Sequence, residues 1–259
     1  MNLHLEGKVA IVGGGSKGIG YGIARLLAME GAQVIITARR EADLQAAADA
    51  IEQECGRTVS YISADCRKSE DCARVTEEVI QRFGGVDILV NNDGAPPLGP
   101  ILSFDDTAWA KAVEQNLMYV VRMTRAVIPS MRERGGGSVL NITAISAIQP
   151  IPGFALSVAT WSGVIGYAKT LSLEVAAENI NVNTICPGYI DTQRLQKVFA
   201  SGDEPSQTVK ERLTQEIPMQ RIGTTEDIAH LVALLVSPRG RYITGTSIQV
   251  DGGLLRAVR

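Results

Sequence analysis

Seven short apolar runs recur along these 259 residues, each separated from the next by a longer and more mixed stretch. The runs "KVAIVG", "QVIITA", "TVSYIS", "VDILVN", "GSVLNIT", "INVNTI" and "SIQVDG" are mostly β-branched or aliphatic and bounded by Gly, Asn or Asp, as strands are. Their near-continuous apolar character predicts strands covered on both faces, as in a parallel sheet. Between them, Gly18–Glu30, Glu41–Glu54, Glu70–Phe83, Asp106–Arg134 and Ala155–Glu178 repeat apolar residues at helical spacing. Strands alternating with helices, with no low-complexity linker, predict a single α/β domain over residues 1–259. It would be a doubly wound parallel sheet of about seven strands with helices on both faces. One segment breaks the rhythm. Asp191–Gly223 is longer, more polar and interrupted by Pro205 and Pro218, and is read as a lid inserted over a site.

Composition narrows the class. A net charge of −3, with 45% hydrophobic and 20% charged residues, belongs to an ordinary globular protein. No apolar run approaches the ~18 residues of a membrane span. The start "MNLHLEGKV" lacks the basic, apolar and cleavage regions of a signal peptide, so a cytoplasmic location is expected. Cys55, Cys66, Cys72 and Cys186 form no C-x-x-C pair and only two histidines exist, so no metal is expected. Mild acidity argues against nucleic acid or an anionic membrane as partner.

The first strand, turn and helix read "AIVGGGSKGIGYGIARLL". Gly14-x-x-x-Gly18-x-Gly20 lies directly after the strand and at the helix start. Glycines there let backbone N–H groups approach a pyrophosphate at the positive end of the helix. Ser16, Lys17 and Ile19 share that turn. Such a turn on a doubly wound sheet is the Rossmann arrangement. An NAD site usually ends its second strand with an acid about 20 residues past the glycines, to hold the ribose 2′-hydroxyl. This chain has Ala38-Arg39-Arg40 there. Arg39 with Lys17 would instead meet a 2′-phosphate, which points to NADP(H); otherwise they are two solvated surface cations.

Taken with other motifs, these residues resemble the short-chain dehydrogenase/reductase family, most closely its 3-oxoacyl-carrier-protein reductase-like branch. "GGGSKGIG" is similar to the family's T-G-x-x-x-G-I-G with Gly13 in place of Thr. Asp65 in "ISADC" matches the aspartate near the adenine. Asn92 and Gly94 belong to "NNDG", similar to N-N-A-G with Asp93 in place of Ala. Asn116 in "EQNLMYV" matches the active-site asparagine of the long fourth helix. Pro187, Gly188, Tyr189 and Ile190 resemble the P-G loop beside the nicotinamide, and "GRYITG" and "VDGG" resemble the closing strand. The resemblance covers nearly the whole chain and implies a homotetramer or homodimer with a small-molecule substrate.

The catalytic positions depart from it. In the family a Tyr protonates the carbonyl oxygen, a Lys four residues on lowers its pKa and holds the nicotinamide ribose, and a Ser steadies the oxygen. "SGVIGYAKTLSLE" aligns without gaps to the family's continuation after that lysine, which puts Ser157 at the Tyr and Trp161 at the Lys. The serine position falls at Ala144. Tyr167 and Lys169 have the wrong spacing to compensate and point elsewhere on the helix. Dienoyl-CoA reductases resemble the chain in having Ser at the Tyr position, yet they keep the Lys. A serine hydroxyl is a far weaker acid than a tyrosine with pKa ~10, and general acid catalysis contributes about 10²–10⁴-fold. Trp161 either covers the nicotinamide ribose or is an inert packing residue. Other candidates are Asp93, whose partly buried carboxylate would have a raised pKa, the hydroxyls of Thr143 and Ser146, and Tyr189, which could reach into the pocket.

Three functions fit. One is an NADP(H)-dependent oxidoreductase with a non-standard site, acting on conjugated or otherwise activated small molecules. Another is a catalytically silent NADP(H)-binding sensor or partner subunit. The third is a redox-neutral isomerase, cyclase or lyase that reuses the pocket. Fold alone does not choose among them.

Overall fold

The computed structural model describes residues 2–92, 94, 96–200 and 204–257. Its strands are β1 (Val9–Gly13), β2 (Gln33–Ala38), β3 (Ser60–Ser63), β4 (Ile88–Asn91), β5 (Gly137–Ile142), β6 (Ile180–Pro187) and β7 (Ser247–Val250). They form one sheet in the order β3-β2-β1-β4-β5-β6-β7. Every pairing is parallel. The chain winds outward from β1 to β3, then restarts at β4 on the other side of β1. That reversal opens a crevice at the carboxyl ends of β1 and β4.

The helices are α1 (Gly18–Met29), α2 (Glu41–Cys55), α3 (Ser69–Phe83), α4 (Asp106–Ala112), α5 (Tyr119–Glu133), α6 (Ala155–Val175), α7 (Gln193–Phe199), α8 (Ser206–Glu216) and α9 (Thr225–Val236). Apolar strands serve two cores because side chains alternate between faces. Ala10 and Val12 pack with Ile23 and Leu27 of α1 and with Ile228 and Val232 of α9. Their neighbours Val9 and Ile11 pack on the opposite face with Val79, Val127, Met131 and Val164, from α3, α5 and α6. All of these side chains are buried.

Sequence periodicity misses some details. Residues 106–134, expected as one helix, run as α4, a π turn at Val113–Met118, and α5. Such an insertion re-aims side chains and is often found at functional sites; here it carries Asn116. β4 begins later than the apolar run. The Val86 amide donates to Ser130 Oγ at 3.0 Å, outside the ladder, and that of Asp87 to the Val9 carbonyl. Between β6 and α9 lie α7 and α8, where Leu195, Phe199 and Val209 make a small apolar cluster of their own. Among the described residues no helix is long and apolar enough to cross a membrane.

Candidate functional site

The crevice at the carboxyl ends of the strands is a cavity of about 610 Å³. The turn after β1 gives it Gly14, Lys17, Gly18 and Ile19, and the end of β2 gives Arg39. Asn92 and Gly94 follow β4; Pro187, Gly188, Tyr189 and Ile190 end β6 and follow it; Trp161 comes from α6. Residues spread over 176 positions of sequence, from Gly14 to Ile190, therefore face one space. Ser16, Gly20, Asp65, Asn116 and Ser157 do not line it. Asp93 lies outside the described residues.

The glycine turn is built by close approach. A Cβ on Gly20 would lie 2.3 Å from the Gly14 carbonyl oxygen, and one on Gly14 would lie 2.2 Å from that of Asn92. Asn92 ties the two loops together by donating Nδ2 to the Gly13 carbonyl at 3.1 Å. Gly13 has a separate reason to lack a side chain. The Tyr119 hydroxyl stands 2.3 Å from where its Cβ would be, and it accepts the Asn92 amide at 3.2 Å. Tyr119 thus fills the space of the threonine in the pattern that this turn resembles. At the start of α1, Lys17 offers no side-chain cap and no acid occupies the first turn. The first amides of the helix are left for an anion.

Charge at the β2 corner is divided. Arg39 lines the cavity and joins no ion pair among the described residues. Lys17 pairs with Asp43 at 3.1 Å, and Arg40 meets the same carboxylate at 2.5 Å. The hydrogen bond from Lys17 leads in holding the Asp43 carboxyl below its ordinary range. Asp65 accepts from Arg67 Nε at 2.7 Å and Nη2 at 2.5 Å, and that pairing lowers its pKa. Its carboxylate is turned to Arg67 rather than to the cleft.

The far end holds Ala144 and Trp161. The Trp161 indole packs against the core beneath α5 and α6 and is half-buried. Ser157 is 1% exposed, with no partner for its Oγ, and sits behind the wall. Helical spacing alone put Ser157 and Trp161 on one face; the structure brings only Trp161 to the cavity. Asn116 is equally buried. It donates Nδ2 to Thr160 Oγ1 at 2.8 Å, and its unpartnered Oδ1 fills the space a Cβ on Gly94 would need, 2.1 Å away. The Thr143 hydroxyl bonds the Ile185 carbonyl at 3.2 Å, whereas Ser146, on the cavity wall, has no partner for its Oγ. Tyr189 lines the cavity, and burial raises its pKa, helped by Glu216 and opposed by Arg212. Tyr167 is half-buried against the core and outside the wall.

Sequence reading passed over the residues that α7 contributes. Thr192, Arg194 and Lys197 all line the cavity. Thr192 caps α7, its Oγ1 accepting the Leu195 amide at 3.4 Å, and its Cγ2 would lie 3.3 Å from a Cβ on Gly18. The signal was the run "TQRLQK", a capping threonine followed by two cations three residues apart.

Residues 14–255 match the family model described as Enoyl-(Acyl carrier protein) reductase. The chain is 36% identical over 250 residues to dehydrogenase/reductase SDR family member 4 of Homo sapiens, covering 96% of this chain and 88% of that protein. It is 34% identical over 254 residues to 3-oxoacyl-[acyl-carrier-protein] reductase FabG of Chlamydia muridarum, covering 98% of this chain and all of that one. The crystal structure of L-sorbose reductase from Gluconobacter frateurii, complexed with NADPH and L-sorbose, matches with a TM-score of 0.93 at 33% identity and full coverage of both chains.

Proposed function

The chain belongs to the short-chain dehydrogenase/reductase family, and on that premise we propose that it binds NADP(H) and acts as an oxidoreductase with a non-standard site. The observation that carries the cofactor reading is Arg39. It faces the cleft in no ion pair, and no Asp or Glu lines that cleft among the described residues. A guanidinium in that state suits a phosphate, which it grips with two parallel hydrogen bonds. Lys17 adds a second charge, shared with Asp43. The uncapped start of α1 and the close-packed Gly14–Gly20 turn suit a pyrophosphate. A solved relative is described as complexed with NADPH, which supports carrying that nucleotide over to this chain.

When bound, the nucleotide supplies hydride transfer. The chain's own residues hold and enclose. Trp161 lines the cavity where the resembled family keeps a lysine stem, giving a flat apolar wall and an indole with a single donor, Nε1–H. Tyr189 keeps its proton at neutral pH, as a tyrosine with pKa ~10 does, and burial raises its pKa further. It therefore serves as a hydrogen-bond donor to a developing oxyanion more readily than as a full acid. Asn116 is a positioning residue, holding α6 to the π turn through Thr160. With Ala144 and the buried Ser157 offering no acid, the substrate must bring its own activation, as a conjugated or otherwise polarised small molecule does. Segment Asp191–Gly223 is the lid, and the working unit is a homotetramer or homodimer in the cytoplasm.

The enzyme reading is tested by NADPH consumption with conjugated enones, quinones and iminium ions. Turnover that falls about 10²-fold in Tyr189→Phe and persists in Ser157→Ala supports it. The silent, nucleotide-sensing reading is favoured by one observation, the burial of Ser157 behind the wall. Tight NADPH binding with no turnover of any acceptor would establish it.

A further inference from the structure

Helix α7 carries two cations to the same cleft. Arg194 is half-buried, and its Nη2 donates to the Pro96 carbonyl at 3.0 Å. Lys197, three residues on and so on a neighbouring position of the same helix face, is exposed at the cleft wall. Neither joins an ion pair among the described residues, and no Asp or Glu among them lines the cavity. The same cavity wall also carries the apolar side chains of Ile145, Ile151, Phe154, Leu195 and Val198. Burial lowers the pKa of Arg194, in keeping with a guanidinium drawn partly out of water.

A half-buried guanidinium with one hydrogen-bond partner among the described residues, the Pro96 carbonyl, has donors to spare for an anion, and an anion there offsets its partial desolvation. Arginine's planar fork fits a carboxylate or phosphate with two hydrogen bonds. The nucleotide already has donors elsewhere, in Lys17, Arg39 and the uncapped start of α1. The α7 pair is additional to those needs.

Resting on the NADP(H) reading above, we propose that the second ligand of this cleft is a small organic acid. Its anionic group, a carboxylate or phosphate, is gripped by Arg194 and drawn in by Lys197, and its apolar body lies against Phe154 and Ile151. Arg194 is then the specificity-determining residue of the lid. A 2-oxo acid fits this description and brings a carbonyl polarised by its own neighbour, which suits a site without a strong acid.

The same anionic chemistry could come from the dinucleotide's pyrophosphate, so the test separates the two sources. Calorimetry first measures NADP+ binding to the wild type, Arg194→Gln, Arg194→Lys and Lys197→Gln. The NADP+-saturated proteins are then titrated with phenylglyoxylate and with its methyl ester, which has the same body without the charge. The expected result is a wild type that binds the acid at least about tenfold tighter than the ester. Arg194→Gln should abolish that preference while NADP+ affinity stays within about twofold, Arg194→Lys should keep part of it, and Lys197→Gln should lose less. Absence of preference in the wild type, including binding of neither probe, overturns the proposal. So does a preference that survives Arg194→Gln. A roughly tenfold loss of NADP+ affinity in Arg194→Gln, with the preference intact, would assign the cation to the pyrophosphate instead. Failure of NADP+ to bind the wild type would show in the first titration and remove the underlying reading, separately from the second.

Discussion

The sheet has a cavity of about 610 Å³ at each end of its strands, and among the described residues an acid lines only one of them. At the amino ends, Asp87 is 6% exposed and fully partnered. It accepts two hydrogen bonds from Arg134, at 3.1 and 2.8 Å, one from Lys8 at 3.2 Å and one from the Val9 amide at 2.9 Å. At the carboxyl ends, among the described residues, Arg39, Arg194 and Lys197 line the cavity in no ion pair, whereas Lys17 has a carboxylate, Asp43. Charges that are satisfied internally hold a fold together. Charges left facing a cavity without a counter-ion select what enters it. Volume does not distinguish the two ends; the buried carboxylate of Asp87, which pairs Arg134 and Lys8, does. Arg241 lines the amino-end cavity in no ion pair among the described residues.

The largest test of this contrast is Asp87→Ala. It leaves Arg134 and Lys8 without their acid and should cost about 3 kcal/mol in a urea melt, with NADPH affinity unchanged. A matching loss of nucleotide binding would blur the two ends. The pH dependence carries a definite sign. Burial works to raise the Asp87 pKa, but Arg134, the Val9 amide and Lys8 outweigh it, and the net direction is down. Its stabilisation is therefore complete above an unfolded carboxylate pKa of about 3.9 and is lost as pH falls below that. Wild type should lose stability on acidification faster than Asp87→Asn does.

At the other end, Arg39→Ala should weaken NADPH about 10–100-fold and NADH by less than about threefold, with stability unaffected. Equal loss for both nucleotides would mean that Arg39 does not meet the 2′-phosphate. Next in size is Gly13→Thr, which restores the pattern residue but collides with the Tyr119 hydroxyl. It should cost about 1–3 kcal/mol, and Tyr119→Leu in the same chain should recover most of that. The smallest effect is expected of Asp43→Asn. Releasing Lys17 and Arg40 from a surface carboxylate should tighten NADPH only a few-fold, because solvent screens exposed pairs. A weakening would show that Asp43 positions Lys17 rather than competing for it.

The fold was legible because its determinants are local and periodic. Apolar runs of strand length and helices of the right spacing name the layers, and the glycines after β1 report a backbone approach that no other residue allows. That Arg39 and the glycine turn share one cavity was legible for the same reason, since Arg39 stands at a fixed distance from those glycines. Much of what escaped depends on contacts distant in sequence. The pairing of Lys17 with Asp43 and the hydroxyl of Tyr119 in the space beside Gly13 join residues whose types were known but whose meeting was not. The turn of Asp65 toward Arg67 is local, but it depends on a rotamer that residue types do not specify. Ser157 and Trp161 are four apart on one helix, yet only the second lines the cavity. Arg194 and Lys197 lie in a segment read only as a lid, because "TQRLQK" signals a capped helix with two neighbouring cations but not the element that they face.

The central claim, an NADP(H) cradle with Trp161 where the resembled family keeps a lysine, is tested most directly by titrating the protein with NADPH and, separately, NADH while following energy transfer from tryptophan to nicotinamide. Trp109 and Trp161 are the two tryptophans, and Trp161 lines the cavity. The account predicts at least about tenfold tighter binding of NADPH, with a transfer signal that drops in Trp161→Phe and persists in Trp109→Phe. Equal affinity for the two nucleotides, or binding of neither, would contradict it.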